Sequence, residues 1–461
     1  MATTTAVGGS QIDVQGLVSQ LVAAERATPD AQIARQTTQV TTQISALGAL
    51  MGSLSTFRSA LTSLKSVDVF STRSVSTTDD AVLGATATSK AVPGSFDIDV
   101  VQLAKAQQIS SGAFSGGSSS VVGTGTLTLS LGDKNFSVAI TDANSTLAGI
   151  RDAINSASDN PGVRATLVQG TTGSRLVLSS SQTGAANKIT VAQSGGDGGL
   201  AQIAYSAATP GSYTVIKPAQ DAIIEIAGAQ TTSASNSIDN AIDGVSLTVK
   251  QETTEESGPV TVTVAYDNAG VTARIRNFVS AYNALAGQIG RLRSYDATSK
   301  TAGPMLGDSL LTSIESELRS ALGAPVSGQA EGFKNLASIG ITTQLDGTLG
   351  VDDTKLNKAL STNFEAVGKL FGSDNGIAAR LYKQVDDRLK TGGAIDTRSK
   401  NLTDQQKAIQ KRKDDLDARM LVLQQGYLKQ FTRLDTLLSQ LQVTSSYMSQ
   451  QIESLANMSK K

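Results

Sequence analysis

Apolar residues recur every seven positions near both ends of this chain and every two positions through its middle. Near the C-terminus the series is Met420, Tyr427, Leu434, Leu441, Met448 and Leu455, with Leu416, Leu423, Leu438 and Ile452 three or four residues away. Near the N-terminus it is Ile33, Val40, Leu47, Leu54 and Leu61, with Ile44 and Met51 alongside. Residues at this spacing line one stripe of a helix, and such a stripe is buried only against another helix. Leu50, Phe57 and Leu64 widen the N-terminal stripe, which predicts a bundle of more than two helices. The main N-terminal helix is expected from about Ala31 to Ser66. A short one, opened by Ile12, Val14, Leu17, Val18, Leu21 and Val22, precedes it. Pro29 either interrupts the two or starts the second under a Thr28 cap. Residues 1–11 are small, polar and without a period, and are expected to be disordered. The last helix is expected from about 396–399 to 457, roughly 90 Å at 1.5 Å per residue.

Between Val67 and Tyr266 the period is two. Phe96, Ile98 and Val100 alternate with Ser95, Asp97 and Asp99, and Leu127, Leu129 and Leu131 with Thr128 and Ser130. Phe136, Val138 and Ile140 repeat the pattern, as do Val245, Leu247 and Val249, and then Val260, Val262, Val264 and Tyr266. Each set predicts a strand with one buried face. A helix over Thr146–Ser156 under a Ser145 cap interrupts them, and glycine-rich loops at 115–120 and 194–199 separate them. The strands are expected in three- or four-stranded units on that small helix.

After Asp267 the helical period returns. Val271, Ile275, Phe278, Tyr282, Leu285, Ile289 and Leu292 follow a 4-3 spacing. A helix capped by Asp308 or Ser309 carries Leu311, Ile314, Leu318 and Leu322. Ile339, Ile341, Asp346-Gly347, Leu349 and Val351 predict a hairpin. A helix capped by Asp352 or Asp353 carries Leu356, Leu360, Phe364, Val367 and Leu370. One more, with Ile377, Leu381, Val385 and Leu389, stops by Gly392-Gly393.

These elements predict an α+β, multidomain chain: a terminal α-helical coiled coil and a helical bundle, with a β-rich head inserted in the middle. The expected divisions are 1–42 with 425–461 as a coiled-coil leg, and 43–72 with 272–424 as a helical bundle. A β-rich head comprises 73–110 with 230–271, and an outer β-rich domain spans 111–229. The 461-residue length accommodates such a division.

Composition narrows the chemistry. The chain has no His and no Cys, which removes the usual general base, the commonest metal ligands and any disulfide. The net charge of -1 provides no overall field for nucleic acid or an anionic membrane, and no apolar run is long enough to span a bilayer. No cofactor and no enzymatic activity are expected. Met1–Ser10 carries neither a basic nor an apolar signal region, leaving a cytosolic location or export without a cleaved signal. Gly195-Gly196-Asp197-Gly198-Gly199 lacks the Lys-Ser/Thr of a phosphate loop and reads as a flexible hairpin tip. Lys411-Arg412-Lys413 is followed by Asp414, Asp415 and Asp417, and reads as a salt-bridged, solvated helix face.

Several stretches carry a family resemblance. Pro93–Gln108 (PGSFDIDVVQLAKAQQ) resembles the N-terminal signature of the flagellar filament cap family, FliD or hook-associated protein 2. Thr146–Asn155, followed by Gly162-Val163-Arg164-Ala165 and Arg175–Ser180, resembles the insertion motif shared by hook and flagellin proteins. Phe278–Asn283, Ile339 through Leu349, Lys355-Leu356 and Leu370–Gly372 resemble the family's C-terminal signature. The resemblance implies a non-catalytic protein exported unfolded through the flagellar type III channel and located outside the cell at the filament tip. It also implies a homo-oligomeric ring, expected as a pentamer with a tetramer or hexamer as alternatives, that retains flagellin and promotes its folding and polymerisation. Flagellin, hook-associated junction proteins and an export chaperone are the implied partners, with no nucleic acid and no membrane insertion. The eleven residues of the two seven-spaced series are the expected oligomer- and filament-docking positions. Two other roles fit the same pattern. One is a filament or junction subunit, which would form open fibres; the other is a surface adhesin, whose residues 111–229 would bind glycan.

Overall fold

The computed structural model describes residues 13–458, so the disorder expected over 1–11 and the first apolar residue, Ile12, lie outside the described residues. The helices are α1 (Val14–Thr62), α2 (Leu147–Ser156), α3 (Asn268–Leu292), α4 (Ser309–Gly323), α5 (Asp353–Thr362), α6 (Phe364–Gly372), α7 (Ile377–Leu389) and α8 (Ala394–Met458). The chain forms two compact units: residues 1–69 with 271–461, and residues 70–270.

The first unit is helical because its apolar residues repeat at 3.6 and meet across several helices. Leu47, Leu50, Leu54, Phe57 and Leu61 of α1 are buried, as are Ile275, Phe278, Tyr282 and Leu285 of α3 and Leu381 and Val385 of α7. An aromatic cluster ties them together. Phe278 lies 5.8 Å from Phe57 and 5.9 Å from Phe371 between ring centroids, and Tyr282 lies 5.8 Å from Phe57. Asp308 and Asp352 are the caps of α4 and α5, accepting from the backbone N–H of Leu310 and Lys355. Arg380 of α7 closes the other end of α4, donating to the carbonyls of Ala321, Ala324 and Pro325. Desolvation there holds its guanidinium below the ordinary arginine range.

Two expectations for this unit are corrected. Pro29 neither breaks α1 nor starts a new helix; α1 runs through it. The lost backbone bond is a local defect, and Arg26 spans the site by donating to Asp30 on the same helix and to Asp417 on α8, each at 2.5 Å. The single helix expected from Leu356 to Leu370 is two, α5 and α6. Asn363 leaves the helical region (φ −154°, ψ 80°), bonds its N–H back to Ala359 and caps α6 by accepting from Ala366 N–H. The expected hairpin is present: strands Ile341–Thr343 and Leu349–Val351 pair antiparallel, with Asp346-Gly347 inside the five residues that join them. Tyr282 Oη donates to the Gly347 carbonyl (3.3 Å), and Asn283 exchanges two hydrogen bonds with the Leu349 backbone, so the loop is shaped by α3. Burial pushes the Tyr282 phenol up.

The second unit is built from antiparallel sheets around two cores. In one, a five-stranded sheet runs in the order Arg73–Thr77, Val260–Tyr266, Gly94–Gln102, Ala222–Ile226, Ala229–Ser233. It shares Ile98, Val100, Ile224, Val262, Leu83 and Leu247 with a three-stranded sheet made by Ser237–Ile242, Val245–Val249 and Leu83–Ala87. The expectation of three- and four-stranded units on a helix is corrected here, because this half has five strands in one sheet and no helix in its core. In the other core, a four-stranded and a three-stranded sheet enclose α2, whose Leu147, Ile150 and Ile154 pack with Leu127, Leu129, Phe136 and Leu176. Leu127 faces Val138 and Leu129 faces Phe136, so the alternating residues fall on one face. The cap of α2 is Thr146 and not Ser145. Thr146 is extended and its Oγ1 accepts from Gly149 N–H, whereas Ser145 Oγ donates to the Asp142 carbonyl.

Residues 195–198 are exposed, as a hairpin tip would be, and the turn is tied back to residues 122–124 at Gly196, Asp197 and Gly199. Asp197 accepts from the backbone N–H of Gly199 (2.9 Å) and Thr124 (3.0 Å), and these two bonds hold its carboxyl below the usual range. Gly196 has φ +72°, and a Cβ there would sit 1.8 Å from the Thr124 carbonyl oxygen. Gly196→Ala is therefore expected to destabilise the second unit by about 2 kcal/mol or more. A lower urea midpoint for its sheet signal, with the helical unit unmoved, is the expected reading.

Candidate assembly interface

The site is built on α1 and α8. Asp13 opens α1, its carboxylate accepting from Gly16 N–H at 2.8 Å. Residue numbers rise along α1 as they fall along α8: Arg26 meets Asp417, and Gln36 accepts from Arg412 at 3.1 Å. The pair is antiparallel. Asp30 first, then Asp417, hold the Arg26 guanidinium more firmly protonated than usual. From Arg26 back to Val14 is the length of α8 from Asp417 to about residue 429, since both helices rise equally. Beyond that point no described residue of α1 lies alongside α8, which continues to Met458.

This geometry sorts the seven-spaced residues. Leu47, Leu54 and Leu61 are sealed in the core and Val40 is buried, so these four hold the fold of their own chain and do not present a docking face. Ile33 is half-buried. On α8, Met420 is buried at 6% exposure and Tyr427 is half-buried. Leu434 (47%), Leu441 (61%), Met448 (58%) and Leu455 (57%) are open to solvent, as are their companions Leu438 and Ile452. The break between covered and open seam falls where α1 ends.

The open stretch is chemically distinct. From Leu434 to Met458 its only charged residues are Asp435 and Glu453, set among Ser, Thr and Gln. One oxygen of Asp435 is shielded from water and has no hydrogen-bond partner within the described residues. The stretch is free of Pro, and its Leu, Gln and Met favour a helix while its Ser, Thr and Val favour it less. Leu437, Val443 and Tyr447 are also exposed and add apolar surface outside the seam, which the seven-residue spacing did not disclose. The Arg26–Asp30–Asp417 clamp was missed as well; the Arg-x-x-x-Asp spacing of its first two members was its only local signal. Lys411, Arg412 and Lys413 are exposed, as a solvated face requires, and Arg412 also reaches across to Gln36. Among the described residues, no helix is long and apolar enough to cross a membrane.

Comparison with known proteins agrees with this architecture. Residues 10–107 match the flagellar hook-associated protein 2 N-terminus family, residues 219–443 its C-terminus family, and residues 126–182 the flagellin hook IN motif. The A-type flagellar hook-associated protein 2 of Pseudomonas aeruginosa is 34% identical over 481 residues, covering 100% of both chains. The flagellar hook-associated protein 2 of Escherichia coli K12 is 34% identical over 479 residues, covering 99% of this chain and 100% of its own. The crystal structure of the D1-D2-D3 domains of the flagellar cap protein FliD from Escherichia coli superposes with a TM-score of 0.66 at 33% identity, covering 78% of this chain and 99% of that one. This chain belongs to the flagellar hook-associated protein 2 family.

Proposed function

We propose that this chain caps the distal end of the bacterial flagellar filament, outside the cell, as a closed homo-oligomeric ring. Its role is structural. Flagellin leaving the export channel is retained under the ring, folds there and joins the filament. Hook-associated junction proteins and an export chaperone are further partners in this reading, and a pentamer is its expected copy number. The chain works as four parts: the leg (1–42 with 425–461), the bundle (43–72 with 272–424), the inner head (73–110 with 230–271) and the outer head (111–229).

The observation that carries the reading is the open seam from Leu434 to Leu455, a stripe of large apolar residues with no cover among the described residues. Diluted by Gln, Ser and Thr, it makes a modest contact per leg. A cap must stay on the filament yet shift as each subunit is added, and several modest contacts held together give persistence without locking any one of them. Electron microscopy of the purified protein tests the proposal: closed rings are expected. Open fibres would instead mean a filament or junction subunit, and particles of single chains at every concentration would remove the ring.

A further inference from the structure

The groove between α1 and α8 is incompletely filled. Two clefts of about 260 and 330 Å³ follow one another along it and meet at Gln36 and Arg412. Val40 and Ile409 floor the first, Ile33 and Leu416 the second, with Gln32, Gln39, Gln43 and Arg419 on the rims. An amphipathic helix is the shape that fits such a groove.

We infer that its occupant is the open stretch of α8, Leu434–Leu455, from a second copy of this chain. This rests on the proposed assembly through the terminal helices and names the partner surface for it. Three observations choose the occupant. The first is charge: the rim carries Arg412, Arg419 and Asp415, a net positive set, while the open stretch has two carboxylates and no cation. The second is polarity: glutamines line the groove, and glutamine, serine and threonine flank the seam, so polar groups outside the apolar contact find partners. The third is length. The groove from Pro29 to Gln43 is roughly 22 Å long, and the stretch from Leu434 to Leu455 roughly 33 Å, enough to fill it. The contact is heterologous, with one copy giving its tip and the next its groove, and it closes into a ring when the rotation between copies allows.

The native chain has no cysteine, so introduced thiols report only the designed contact. Gln32→Cys places one thiol in the groove. Ser439→Cys or Ser445→Cys places the other on the open stretch, and two positions allow for the unknown register. Full-length copies of each kind are mixed and oxidised. Mixed disulfide dimers are expected at roughly tenfold the yield obtained when the tip-bearing copy also carries Leu441→Asp. Absence of that cross-link in protein that still forms rings overturns the inference and leaves the capping proposal standing. Cross-linking of the tip thiol to added flagellin, and never to the groove thiol, overturns it in favour of flagellin as occupant. Loss of both cross-link and rings in otherwise unaltered protein contradicts the inference and the ring together.

Discussion

Cells carrying Leu434→Asp together with Leu441→Asp are expected to export flagellin into the medium and grow no filament. Both leucines lie in the open seam, at 47% and 61% exposure, so the substitutions leave the folded units intact. In the assembled state the same side chains are covered. Burying two leucines contributes about 3 kcal/mol or more per leg, and a carboxylate in their place adds a desolvation cost. That loss is repeated at every contact between copies, so the ring does not hold together and no cap stays at the tip. Purified variant protein should unfold in urea at the parent's midpoints. Normal swimming by the mutant would contradict the mechanism. A lowered midpoint would mean that the seam is already covered within its own chain.

A second large effect is expected at the opposite extreme of burial. Phe278 is fully buried and touches the rings of both Phe57 and Phe371, so it joins α3 to α1 and α6. Phe278→Ala leaves a cavity bordered by side chains that cannot all collapse into it. The expected cost is about 3–5 kcal/mol for the helical unit. Helical circular dichroism should then be lost at a markedly lower urea concentration, while the sheet signal of residues 70–270 keeps its midpoint. A change below about 1 kcal/mol would mean that the aromatic cluster is not the centre of that core.

Much of the fold was legible because burial imposes a period. Val271 through Leu292 read as one helix face, and all seven residues of that series are buried. Leu127, Leu129 and Leu131 read as one strand face and are likewise buried. Features decided by single backbone groups were not legible. Asn363 divides a helix whose apolar spacing continues through it, because its side chain caps the next segment. Pro29 sits inside α1 because one missing bond costs less than breaking a helix clamped on both sides of the proline by Arg26. Gly196 and Gly199 look like parts of a loose loop in sequence, but a Cβ at either would strike a backbone carbonyl oxygen, that of Thr124 or that of Val122.

The candidate interface was half legible for a related reason. Seven-residue spacing identifies a stripe that some helix will cover, but it does not say whether that helix belongs to the same chain. Leu47, Leu54 and Leu61 have the same spacing as Leu434, Leu441 and Met448, yet the first three lie in a core and the second three in solvent. The difference is set by where the partner helix ends. That depends on the antiparallel register of α1 and α8, fixed by contacts such as Arg26–Asp417 between residues nearly 400 apart in the chain.

Hydrogen exchange over residues 434–455, followed in dilute protein and in assembled caps on filaments, tests the central claim most directly. The account predicts rapid exchange through this stretch in the isolated chain, beside strong protection of α1 and α8 around Leu47 and Met420, and slowing of the same stretch on assembly. Equal protection at every dilution would mean that the seam is covered at home. Unchanged rapid exchange in the assembled cap would mean that nothing docks on it, and either result would contradict the account.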